Sequence, residues 1–271
     1  MREKRSMRRY YKMLVAEIRK NKVSFFVYSA LRLLVLLVLV RSIFLRNYEH
    51  AALCVLSLAL FLVPAFVEKQ FRIELPTALE CIVLLFIFAA AILGEIRSYY
   101  VRVPGWDTML HTVNGFLCAA IGFALVDLMN RNSSKINLSP LYLTIVAFCF
   151  SMTVGVLWEF GEYAMDELFL LDTQKDFAVT EFSSVFLDPT KTNIPVQVKD
   201  ITQTVITTAD GQQIVIDGYL DIGNKDTMKD LWVNFVGAVV FSVIGYFYVK
   251  NRNKKSFARF FVPTKATETD G

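Results

Sequence analysis

Six stretches of this chain are almost wholly apolar, and each runs for 17 residues or more: 23–40, 51–67, 77–96, 108–129, 141–164 and 231–249. A helix rises about 1.5 Å per residue, so crossing ~30 Å of hydrocarbon takes roughly 20 apolar residues. Lipid offers backbone polar groups no partner, so the spans must be helical. A β-barrel would need alternating segments, whereas these runs are continuous. The hydrophobic share of 55% is concentrated in them. Such a pattern excludes a soluble globular enzyme, a disordered chain and a disulfide scaffold. The expected fold is an all-α polytopic membrane protein of about six transmembrane helices, with a small extracytoplasmic insertion containing a β-hairpin.

Charge orients the spans. The net charge of +4 conceals a separation: residues 1–22 carry +7, residues 250–271 carry +4, and residues 165–230 carry −7. Six spans place both ends on one side, and basic ends belong in the cytoplasm. The chain therefore divides into a basic cytoplasmic tail at 1–22, transmembrane helices within 23–164, an acidic extracytoplasmic loop at 165–230, a sixth transmembrane helix at 231–249 and a basic cytoplasmic tail at 250–271. The basic start leads into an apolar run with no small-residue cleavage site, so that run is read as a span. In the long loop, 201–208 and 213–219 alternate β-branched and polar residues around Asp210-Gly211. Asp-Gly between two such runs is a hairpin signal, and two strands alone need something to pack on.

Details of the spans fit this frame. Ser139 before Pro140 reads as an N-cap followed by Pro at the first helical position. Arg32 lies well inside the first run, either snorkelling to the membrane surface or paired with a carboxylate such as Glu80. Cys54, Cys81, Cys118 and Cys149 all lie in spans with no paired spacing, and read as small packing residues.

Ionisable residues inside spans are costly and mark functional sites. Here they gather at the outward ends. Glu95 closes the third span. Asp107, His111 and Asn114 open the fourth. Glu159 and Glu162 close the fifth, with Asp166 beyond. Asp226, Asp230 and Asn234 open the sixth. Asp107 and His111 are four residues apart, as are Asp226, Asp230 and Asn234; Glu159 and Glu162 are three apart. Each set lies on one helical face. Gly115, Gly161 and Gly237 stand close by, and small residues let transmembrane helices approach. The candidate pocket is thus Asp107, His111, Glu159, Glu162, Asp226 and Asp230, supported by Glu95, Asn114 and Asn234.

Three chemistries suit it. Asp107, His111, Glu159, Glu162 and Asp230 are hard or borderline ligands that suit a divalent metal (Mg, Mn or Zn). Without metal, crowded carboxylates raise one another's pKa, and His111 beside Asp107 serves as a base. Alternatively the cluster is structural, a set of interhelical hydrogen bonds with Asp107 and Asp226 as helix N-caps.

The order Asp107-x3-His111, then Glu159 and Glu162, then Asp230-x3-Asn234-x2-Gly237 resembles VanZ-like membrane proteins. More closely, Trp106-Asp107-Thr-Met-Leu-His111-Thr-Val-Asn-Gly115, Trp158-Glu159-x2-Glu162 and Gly223-Asn-Lys-Asp226-Thr227-x2-Asp230 resemble the YjdF-type bacterial inner-membrane family, over roughly residues 76–249. That resemblance implies a multi-pass protein of the bacterial plasma membrane and supplies no reaction.

Three roles follow. One is an enzyme or binder acting on an outer-leaflet lipid or a cell-envelope precursor. A second is an ion-coupled transporter. A third is a scaffold or sensor whose outer loop meets a protein partner. The basic tails flank apolar spans, so their expected partner is anionic lipid and not nucleic acid. Phe257, Phe260 and Phe261 among Lys and Arg suggest an interfacial segment in the second tail.

Overall fold

The computed structural model describes residues 22–132, 137–251 and 257–265. Most of both basic tails therefore lies outside the described residues. Among the described residues, six helical stretches are long and apolar enough to cross a membrane. The chain divides into two compact units, residues 1–153 with 233–271, and residues 154–232.

The first unit holds most of the apolar spans. Helix α1 is Lys22–Phe44. The second span is broken, into α2 (Tyr48–Leu60) and α3 (Val63–Phe71). Pro64 sits at the start of α3, where it has no N–H to continue a helix from α2. Asn47 caps α2 by accepting from the His50 amide at 3.0 Å. Arg72 ends α3 in the left-handed region, φ 52°. A short strand β1 (Ile73–Glu74) follows. The Glu68 carboxylate then accepts from the Leu75 amide at 2.7 Å, tying the turn into α4 (Thr77–Phe88). A π-helical segment, Ala89–Ile96, continues α4, and a single turn, α5 (Tyr99–Arg102), precedes α6 (Trp106–Asn132). Helix α7 is Pro140–Phe169, and the Ser139 hydroxyl caps it as expected, accepting from the Tyr142 amide at 3.2 Å. Helix α8 is Asn224–Asn251.

Two apolar clusters fill this unit. One joins Leu31 and Val35 of α1 to Cys54, Phe61, Leu84 and Ile92. The other joins α4, α6, α7 and α8 through Leu79, Ala120, Phe123, Leu143, Ala147, Ala238 and Phe241. Phe261 and Val262 belong to the second cluster. The Phe261 ring stands edge-on to Phe116 at 5.0 Å. Phe261 of the tail segment thus packs into the helix cluster. Only Phe257 and Phe260 of the three remain exposed. Strand β8 (Thr264–Lys265) pairs antiparallel with β1 and fixes the segment there. Arg32 also resolves: it is exposed, and its Nη1 donates to Tyr28 Oη at 3.0 Å, not to Glu80. The four cysteines are free thiols.

The second unit contains the C-terminal part of α7, the loop that follows and the first turns of α8. Its sheets are small and antiparallel. Strands β2 (Ala178–Val179) and β7 (Tyr219–Leu220) pair, as do β3 (Phe182–Ser184) and β4 (Val196–Val198). The expected hairpin forms from β5 (Gln203–Thr207) and β6 (Gln213–Asp217), in register Gln203↔Asp217 through Thr207↔Gln213. Gly211 takes φ 84° in its turn, a conformation that glycine adopts without a Cβ penalty. Val205, Ile206, Ile214 and Val215 of the hairpin are exposed. Loop order comes from side-chain-to-backbone bonds. Asp188 alone accepts from the amides of Thr190, Thr192 and Ile194 and from the Thr190 hydroxyl. These donors hold its pKa down, to about 2, with the Thr190 hydroxyl as the largest cause. Asp176 shifts the other way, raised first by burial and then by the Asp172 charge.

Candidate functional site

In the first unit, α6 and α8 cross at two glycines. A side chain at Gly115 would collide with the Asn234 carbonyl, and one at Gly237 with the Thr112 carbonyl. The backbones touch, as the small residues of the sequence suggested. Gly161 is different, with open space where its side chain would be.

The close crossing brings polar groups to one buried level. Asn234 is 1% exposed. Its Oδ1 accepts from Asn114 Nδ2 at 3.4 Å, and its own Nδ2 points at the Ser151 carbonyl at 3.5 Å. Ser151, also fully buried, donates to the Gly115 carbonyl at 2.7 Å. Ser151 had no signal in the sequence, because a serine within a long apolar run looks like any small packing residue. Its bond ties α7 to α6 at the glycine that admits α8.

Asp107 and His111 lie nearer the start of α6 than Asn114 does. His111 Nε2 lies 3.4 Å from Asp107 Oδ1, and both side chains are partly buried. Asp107 is the second residue of α6, not its N-cap, and Asp226 is the third residue of α8. The N-cap role expected for both is therefore corrected. The helices are entered instead through Gly105 and Gly223, both at positive φ. The amides of Met109 and Thr227 close back on the carbonyls of Gly105 and Gly223. Each acid lies in a first turn, where the helix dipole favours negative charge. Glu95 is exposed, and among the described residues its side chain makes no hydrogen bond or ion pair.

The remaining acids lie in the second unit. Glu159, Asp226 and Asp230 are buried. Lys229 stands between the last two, with Nζ 3.4 Å from Asp226 Oδ1 and 3.6 Å from Asp230 Oδ1. It also lies 5.9 Å over the Phe177 ring. Lys229 is the cation that the sequence reading passed over, although it stands inside the Asp226–Asp230 block. Asp226 Oδ2 accepts from the Lys175 amide at 2.9 Å. Gln174 Nε2 donates to the Thr227 hydroxyl at 2.5 Å. Asp166 accepts from the Thr173 and Gln174 amides, and the Thr173 hydroxyl also donates to the Glu162 carbonyl. The stretch 173–175 is thus laced to the end of α7 and the start of α8. Glu162 accepts from Trp158 Nε1 at 2.9 Å.

The arrangement offers two kinds of chemistry. Asp107 beside His111 can orient the imidazole, which suits ligand or proton work. Asp226 and Asp230 share a lysine, so a cation already balances part of their charge.

Comparison with known proteins agrees with the membrane architecture. The model of a family described as predicted membrane protein (DUF2238) matches residues 27–251. A protein of Thermotoga maritima, described as uncharacterised, is 23% identical over 124 residues, which is 45% of this chain. The chain spans 62% of the length of that relative. No solved structure matches.

Proposed function

Because the chain belongs to the DUF2238 family of predicted membrane proteins, we propose that it is a multi-pass protein of the bacterial plasma membrane that binds or processes a lipid or cell-envelope precursor at the outward polar cluster. The observation that carries this reading is the Asp107–His111 pair, 3.4 Å apart at the end of a membrane-spanning helix. It is backed by the buried Asn114–Asn234 contact one turn further in. A carboxylate–imidazole pair at that depth is costly unless it serves a ligand.

A divalent metal (Mg, Mn or Zn) is the group that best uses these donors. Asp107 and His111 form the core of its proposed ligand set. Glu159, Glu162 and Asp230 are the further ligands that the sequence supplies. Such an ion would bridge protein carboxylates to a phosphate of the substrate. Metal analysis of the purified protein tests this. Stoichiometric metal is expected in the wild type and is lost in Asp107→Ala, His111→Ala and Asp230→Ala while each still accumulates in the membrane. Metal-free wild type, with loss of accumulation in all three variants, would favour the structural reading.

The −7 charge of residues 165–230 against +7 and +4 at the two ends supports cytoplasmic termini. Reporter fusions at each end test it; activity of an extracytoplasmic reporter at either end would overturn it.

A second reading rests on the hairpin. Its exposed Val205, Ile206, Ile214 and Val215 favour a protein partner at the inserted unit. Photocrosslinkers at Val205 and Ile214 that capture no other protein in intact cells would count against it.

A further inference from the structure

An apolar groove of about 150 Å³ opens in the first unit, beside the turn between α3 and α4. Val63 and Phe71 of α3, Leu79 and Val83 of α4, and Leu125 of α6 line it, and Pro263 closes one side. Apolar cavities of about this size stay dry and accept a hydrocarbon group. Val63, Phe71 and Leu125 are exposed, so the mouth opens on the lipid-facing side of membrane-spanning helices.

Two observations give the occupant a head as well as a tail. Glu80, in the first turn of α4, is the single charged residue of the lining. Among the described residues, no cation or hydrogen-bond donor is set against its carboxylate. A carboxylate facing hydrocarbon calls for a cation. Lys69 and Arg72 are exposed at the end of α3, flanking Phe71. They supply the opposite charge, suited to a phosphate.

We propose that this groove holds one acyl chain of an aminophospholipid from the adjacent leaflet, its phosphate on Lys69 and Arg72 and its ammonium on Glu80. The site lies at the end of α6 away from the Asp107–His111 pair and does not depend on what that pair does. The dipolar head matches the charges in sign: two cations for the phosphate, one carboxylate for the amine. A lipid with an anionic glycerol head would meet Glu80 with repulsion. A choline head would present a cation with no N–H to donate.

The test reconstitutes the full-length protein in vesicles of phosphatidylethanolamine, phosphatidylglycerol and phosphatidylcholine in equal parts, then reads retained lipid by native mass spectrometry. Wild type is expected to retain one phosphatidylethanolamine. Leu125→Trp, at the groove mouth, should lose it. Glu80→Gln, which keeps the side-chain shape, should lose the preference among the three heads. Lys69→Ala with Arg72→Ala should reduce retention of all three. Circular dichroism and a single symmetric elution peak establish that each variant is folded. Should Leu125→Trp fail to fold, Glu80→Gln decides. No retained lipid, equal retention of the three by wild type, or a Glu80→Gln profile identical to wild type would overturn the proposal.

Discussion

Asp107 and His111 near the start of α6, and Asp127 and Arg131 near its end, are both acid–base pairs spaced four residues apart on one helix. At the far end the partner is a guanidinium, charged at every accessible pH, and Arg131 closes on Asp127 at 2.5 Å. Asp127 is buried while Arg131 reaches out, half exposed, so the charge is neutralised and the head stays wet. At the near end the partner is an imidazole, which carries charge only when protonated, and the pair stands at 3.4 Å. One spacing therefore yields an ion pair with a permanent cation in one place and a carboxylate–imidazole pair in the other. What differs is the permanence of the cation and the company it keeps, since only the near pair adjoins a buried polar network and a backbone-to-backbone helix crossing.

The largest effect should come from disturbing that crossing. Gly115→Val sets a branched side chain against the Asn234 carbonyl, an obstacle that cannot rotate away. Overpacking costs about 1–3 kcal/mol where neighbours can yield, and the cost here should lie at the top of that range. Thermal unfolding in detergent measures it, and wild-type stability in Gly115→Val would show that the crossing does not hold the near pair in place.

The two pairs should then separate by readout. Asp127→Ala is expected to lower stability by about 1 kcal/mol, because Arg131 keeps its hydration, and to leave metal content untouched. His111→Ala should abolish metal content with little change in the melting curve. The reverse pattern would erase the distinction between the ends. His111→Arg sharpens it further: a permanent cation at the near end should preserve folding and remove metal, making that end a copy of the other.

The smallest effect concerns an acid that meets no cation among the described residues. Asp188 is held by amide and hydroxyl donors, and its pKa is about 2 against an ordinary 3.8. A depressed carboxyl pKa contributes stability that is fully present above about pH 4 and is lost as pH falls toward 2. Hydrogen exchange at the Thr190, Thr192 and Ile194 amides should accelerate over that interval in the wild type. In Asp188→Asn the exchange should already be faster at neutral pH and lack the acid step.

The membrane spans and the hairpin were legible because each rests on a local pattern. Long apolar runs have one solution in lipid, and Asp210-Gly211 between alternating strands has one in water. The break between α2 and α3 was also written in the sequence, at Pro64, but the unbroken hydropathy around it concealed it. The candidate cluster was legible in its residue types and spacings, since Asp107, His111, Asn114 and Asn234 stand out against apolar neighbours. What was not legible depends on partners distant along the chain. Ser151 becomes meaningful only through the Gly115 carbonyl, Lys229 only through the acids on either side of it, and Phe261 only through Phe116. The π-helical turn at Ala89–Ile96 has no signature among residues as plain as alanine and isoleucine.

Phe261 carries a consequence for how the protein is made. The four-helix cluster of α4, α6, α7 and α8 is completed by a side chain that follows the last span in chain order. Packing of Phe261 and pairing of β8 with β1 therefore need the last span to be in place, because 257–265 follow it along the chain. A chain cut before residue 257 would lose the Phe261 side chain from that cluster.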